Sequence, residues 1–443
     1  MSNSNSIAKQ HSDSGSGGNV AGSRTEIFAW AMYDWANSAY STISITILMG
    51  YIVNIVVPGK LGTVVWAWGI GVSMLVAAVL SPIVGAVADA NRSKRRWLAF
   101  TALSGSGTAM VLSLVPPTMS WVVVGLFVLM CFFFEISLGF YNGFLPEIAD
   151  EQSMNRVSAW GYTLGYLGGT LALLMALAVK IKGAEWGIVD VSSQLRVGIF
   201  ILGAWWGVFT LPTIWILRDR GDRDHTRLPL GKAVQNAVGR TADTIRHLRR
   251  YHMLAIFLAG FLLYNDGIQT VISQASVVAD KVIGFEMQEL IYLILMIQVV
   301  AMPGAMFVGF LADRLGQKRT LMGCLAIWVG LVVCAYFVTS KFQFWMMGVV
   351  LALVLGGTQS VSRAMMGMMT PESRAAEFFG FFNLSGKATS FMGVFLFGLI
   401  TWMTGDMRMS MLSLLVFFIF GWAIVSFVDI ERGRQQAMED DRI

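Results

Sequence analysis

Five charged residues sit inside otherwise apolar stretches of this 443-residue chain: Asp34, Glu135, Asp266, Arg363 and Lys387. A charge facing lipid or an apolar core costs several kcal/mol, so each of them must face a wet cavity or a partner. Helical periodicity puts further polar groups on the same faces. Asp34 shares its face with Asn37, Ser38 and Ser41, and Glu135 with Asn142. Asp266 is followed by Gln269, Thr270 and Ser273; Gln359 and Ser362 precede Arg363; Asn383 precedes Lys387 by one turn. Buried carboxylates of this kind bind a cationic group or take up a proton. Arg363 or Lys387 can hold a carboxylate. Two readings stay open: a polar path for a solute, or internal ion pairs that only fasten helices together.

The rest of the chain offers no other chemistry. Cys131, Cys324 and Cys334 lie in apolar runs with no metal-ligand spacing, so no metal site and no cofactor are expected. No nucleophile–base pair and no nucleotide loop can be read, which argues against an enzyme and against direct drive by ATP. The basic residues lie in short loops and not on a soluble face, which argues against nucleic acid as a partner.

The elements that position these groups follow from composition. Hydrophobic residues make up 56% of the chain and charged residues 13%, where a soluble domain carries about a quarter charged residues. Lipid is the solvent that relaxes the need for polar cover. Twelve apolar runs follow one another: Ile27–Val57, Thr63–Ala88, Trp97–Val115, Trp121–Leu145, Val157–Val179 and Val197–Leu217; then Met253–Ala279, Leu290–Ala312, Thr320–Thr339, Phe344–Met369, Phe378–Met403 and Met409–Val428. Each approaches or exceeds the roughly 20 residues that cross a bilayer as a helix. Most of the 32 Lys and Arg residues fall on the side of the termini, which predicts both termini in the cytoplasm.

The expected organisation is a disordered tail over 1–26, a six-helix half over 27–217, a linker over 218–252, a second six-helix half over 253–428 and a tail over 429–443. The linker mixes charges and reads as a solvated connector; a short surface helix is the other reading. Gly161, Gly165, Gly168 and Gly169 predict close contact between the fifth helix and a neighbour.

Two loops echo each other across the linker. The first holds Gly85, Asp89, Arg92, Lys94, Arg95 and Arg96. The second holds Gly309, Asp313, Arg314, Gly316, Lys318 and Arg319. Both resemble the loop signature of the major facilitator superfamily, and each follows the second helix of its half. Leu145-Pro146-Glu147 and Thr370-Pro371-Glu372 form a second pair of echoes. The resemblance implies an all-α membrane fold of twelve transmembrane helices in two parallel six-helix repeats. It implies that the two loops gate movement of the halves, each Asp pairing with Arg or capping a neighbouring helix.

Several stretches further resemble the vacuole-effluxer (autophagy-related) family and its bacterial relatives. They run from Tyr33 to Tyr40, Tyr141 to Glu147, Gly161 to Gly169, Tyr264 to Thr270 and Gly356 to Arg363, with Glu377 to Gly380 after them. This resemblance implies a solute permease embedded in lipid. Fungal members are associated with export of amino acids from the vacuole, so a zwitterionic metabolite is the expected solute and a proton the expected coupling ion. The compact length resembles the bacterial members and implies a bacterial cytoplasmic membrane. Efflux of drugs or siderophores, and a scaffold or sensor without transport, are the alternatives.

Overall fold

The chain's computed structural model describes residues 22–220, 229–246, 248–387 and 390–441. The N-terminal tail as far as residue 21 lies outside them. The helices are α1 (Arg24–Val56), α2 (Lys60–Ala90), α3 (Lys94–Leu114), α4 (Ser120–Ile148), α5 (Met154–Lys182) and α6 (Val191–Ile216). A linker helix α7 (Leu230–Arg246) follows. Then come α8 (His252–Ile283), α9 (Met287–Leu315), α10 (Gln317–Phe337), α11 (Lys341–Met368), α12 (Ala375–Lys387), α13 (Ser390–Thr404), α14 (Met407–Ser426) and α15 (Ile430–Asp441). Among the described residues, eleven helices are long and apolar enough to span a membrane. The short helices α12 and α13 together supply the twelfth pass.

Rings at the helix surfaces point outward, as a lipid-facing surface requires. Trp68 and Trp402 are 70% and 83% exposed. Inside, apolar side chains gather in two clusters, one built almost wholly from residues 30–217 and one from 251–428. The clusters meet where α2 packs on α12, and where α5 packs on α9 and α11. Small residues make these contacts possible. A Cβ on Gly85 would lie 2.4 Å from the carbonyl oxygen of Ala376, and one on Gly380 would lie 2.6 Å from the nitrogen of Pro82.

Three segments differ from expectation. The helix starts three residues early, at Arg24, because Ser23 and Glu26 form a reciprocal capping box. The linker is no plain connector: Ala233 and Ala237 on α7 bury against Ala86 and Val87 of α2. The C-terminal helix α15 docks on the end of the molecule where α1 begins, the terminal face. There Asp441 accepts from the backbone N–H groups of Glu372 and Ser373 at 2.9 and 3.0 Å.

Candidate functional site

The two echoing loops lie on the terminal face, and each aspartate reaches the start of a helix in the opposite half. Asp89 accepts from the N–H groups of Ala376 and Glu377 at 3.2 and 2.9 Å, so its charge sits at the positive end of α12. Asp313 accepts from Asn155 Nδ2 at 3.0 Å, at the start of α5, with Arg156 3.9 Å away. Both loops need a residue with positive φ. Gly316 supplies it at 88°, and Arg92, where the first loop lacks glycine, adopts 45°. Arg314 stacks on Phe310 and Lys318 donates to the carbonyl of Ser426.

Around this contact a charge network closes the terminal face. Lys94 is buried between Glu147, to which it donates, and Asp89 at 3.5 Å. Arg374 forms two bonds to Glu377, at 3.0 and 2.9 Å, and reaches Tyr251 at 2.8 Å and Asp440 at 3.5 Å. Glu377 also accepts from Thr244 of α7 at 2.9 Å. The linker helix and the C-terminal helix thus both grip the start of α12.

Glu372 lies beside this network. Burial, then the nearby Asp441 and Glu147 carboxylates, push its carboxyl up from 4.5 to about 7, against Lys94 and Arg220. A carboxyl raised in the folded state stabilises it while protonated. That contribution is whole below about 4.5 and is lost as pH rises through about 7. Melting of the detergent-solubilised protein between pH 5 and 8 is therefore expected to fall more steeply for wild type than for Glu372→Gln. Parallel slopes would contradict this.

Deeper between the halves lies the second feature. Arg363, only 2% exposed, projects from α11 into residues of the first half. Its Nη1 donates to Asp34 Oδ2 at 2.9 Å and to Asn142 Oδ1 at 3.4 Å. Its Nε donates to Ser158 Oγ at 3.0 Å, and its Nη2 to the Ser158 carbonyl at 2.7 Å. The rings of Tyr162, Trp30 and Tyr141 lie 4.2, 4.8 and 5.7 Å from the guanidinium carbon. Trp30 is held in turn by its indole N–H, which donates to the Tyr141 carbonyl at 2.9 Å. Gly161 forms the floor, where a Cβ would lie 2.4 Å from Asp34 Oδ2. The glycine spacing of α5 serves this approach: Gly165 and Gly168 also lie against α1.

A separate polar group lies along α8. Asp266 is buried and accepts from the Gly393 N–H at 3.0 Å; its other oxygen has no hydrogen-bond partner among the described residues. Asn265 donates to the Gly386 carbonyl at 2.9 Å and accepts from Gln359 Nε2 at 3.1 Å. Thr270, one turn on, has a hydroxyl with no hydrogen-bond partner among the described residues.

Of the residues singled out by sequence, the structure thus joins Asp34, Asn142 and Arg363 in one cluster, and Gln359 to the neighbour of Asp266 in another. Asn37 and Glu135 are buried, and the Asn37 amide nitrogen has no hydrogen-bond partner among the described residues. Gln269 is exposed and belongs to neither cluster. The side chain of Lys387 lies outside the described residues. Sequence reasoning missed Trp30, Tyr141, Ser158 and Tyr162 as partners of Arg363, although two of them fall within the family-like stretches.

Comparison with known proteins agrees with this architecture. The family described as vacuole effluxer Atg22 like matches residues 65–438. The MFS-type transporter YxiO of Bacillus subtilis is 32% identical over 413 residues, covering 91% of this chain and 94% of that protein. Autophagy-related protein 22 of Kluyveromyces lactis is 24% identical over 69% of this chain, which spans 64% of that longer protein. Among solved structures, the proton:xylose symporter XylE superposes with a TM-score of 0.71 at 12% identity, covering 94% of this chain and 97% of its own. The Escherichia coli fucose:proton symporter FucP gives 0.67 at 11% identity, covering 91% and 98%. The fold is that of the major facilitator superfamily, and the chain belongs to the Atg22-like vacuole effluxer family.

Proposed function

We propose that this transporter moves a small polar or zwitterionic solute, amino acids foremost, by alternating access. The observation that carries the reading is the Arg363–Asp34 pair, buried at 2.9 Å between the two halves. Such a pair has an unmet alternative on each side: a solute carboxylate can take donors of Arg363, and a solute ammonium can replace the guanidinium on Asp34. Asn37, with a buried and unpartnered amide nitrogen, offers a further donor. The small-residue contacts, the Asp89 cap on α12 and the Asp313–Asn155 bond hold the terminal face shut, and their release frees the other state.

Asp266 is the proposed coupling group. Its second carboxylate oxygen has no hydrogen-bond partner among the described residues and is open to a proton. The loop cations support a cytoplasmic terminal face. The likeness to a bacterial transporter supports the cytoplasmic membrane of a bacterium.

Uptake of labelled amino acids into proteoliposomes tests the coupling. Asp266→Asn is expected to abolish accumulation driven by a pH gradient while keeping exchange at equal pH. Gradient-driven accumulation equal to wild type would remove Asp266 from the coupling role.

A further inference from the structure

All six partners of Arg363 come from the first half of the chain. Asp34 and Trp30 stand on α1, Tyr141 and Asn142 on α4, and Ser158 and Tyr162 on α5. Only the guanidinium comes from the second half. Alternating access requires the halves to part on the terminal face. Arg363 then leaves with α11, while its six partners stay with each other.

Those partners are held without Arg363. Trp30 stacks on Tyr141 with ring centres 4.6 Å apart and donates to its carbonyl. The Ser158 hydroxyl also donates to the Ser360 carbonyl, a bond that parting breaks along with those of Arg363. Thr42 donates to the Gly169 carbonyl at 3.2 Å, tying α1 to α5. What remains is a preformed cage with one carboxylate, two acceptors on Ser158, an amide oxygen and three aromatic rings.

We infer that this cage receives the guanidinium group of the transported solute, and that Arg363 is its tethered stand-in. The inference rests on the permease reading above and narrows its substrate class. A planar fork fits because Ser158 and Asp34 accept along its edges while Tyr162 and Trp30 approach its carbon at 4.2 and 4.8 Å. An ammonium ion carries the charge but neither the fork nor the flat face. Solute and Arg363 exclude each other, so the solute favours the parted state and the return of Arg363 expels it.

The test uses the full chain in detergent with Arg363→Ala, which empties the cage. Methylguanidinium is expected to raise the melting temperature of this variant saturably, and at about tenfold lower concentration than methylammonium, as a 1.4 kcal/mol preference dictates. The rise should vanish in Arg363→Ala/Asp34→Asn and be small in wild type, where the cage is filled. Equal effects of the two cations would overturn the inference. Wild-type exchange gives a second reading that needs no variant. Arginine and agmatine are expected to compete with labelled solute far better than leucine. Leucine competing as well as arginine would overturn the guanidinium cage and leave the permease standing. Absence of any flux would count against the permease, whereas the melting shift reads the cage on its own.

Discussion

Arg363→Ala is expected to lower stability by about 3–5 kcal/mol, because it strands the Asp34 carboxylate in a buried site. The neighbours leave it little relief. Among the described residues the Arg363 guanidinium is the cation bonded to Asp34, and the surrounding groups are aromatic rings, Asn142 and the floor at Gly161. Neutralising both ends, in Arg363→Ala/Asp34→Asn, is expected to restore most of the loss, since the double variant buries no unpaired charge. Transport should fail in Arg363→Ala, in Asp34→Asn and in the double variant. Thermal melts of wild type, both single variants and the double variant measure the coupling. Additive losses would mean that the pair contributes nothing beyond its separate side chains.

Gly85→Val is expected to abolish transport by a different route. A Cβ at position 85 would lie 2.4 Å from the Ala376 carbonyl oxygen and 2.8 Å from the Glu377 nitrogen. Both are backbone atoms of α12, so no side-chain rotation relieves the overlap. Overpacking costs about 1–3 kcal/mol where a core can adjust, and here the upper end applies. That cost falls only on the state closed at the terminal face, and about 3 kcal/mol shifts its ratio to the open state roughly 100-fold. The variant should therefore fold, bind solute from the terminal face and fail to cycle. Normal turnover would show that α2 and α12 need not approach this closely.

Much of this architecture was legible in the sequence. The apolar runs are long and the loop cations one-sided, because lipid leaves few alternatives to a spanning helix. Asp89 and Asp313, which each reach the opposite half, could be singled out because a repeated loop signature marks them. The charged residues Asp34 and Arg363 stood out because a membrane makes such residues rare. Their partnership did not, since 329 positions separate them. The aromatic rings around Arg363 were hidden by their own abundance: in a chain with 15 Trp and 29 Phe, a ring reads first as lipid-facing. Lys94 reads as one more cation that sets orientation, yet it is buried against Glu147 and Asp89. The partner of Asp266 is a backbone N–H, which no residue type announces. The linker helix was obscure because its contact rests on two alanines within a mixed-charge segment.

Exchange across reconstituted vesicles tests alternating access most directly. Proteoliposomes are loaded with unlabelled amino acids and diluted into a trace of the same labelled mixture. Wild type is predicted to concentrate label inside transiently, because the site must face each side in turn, and Gly85→Val is predicted to show none. Label that enters wild-type, variant and protein-free vesicles alike would contradict the account.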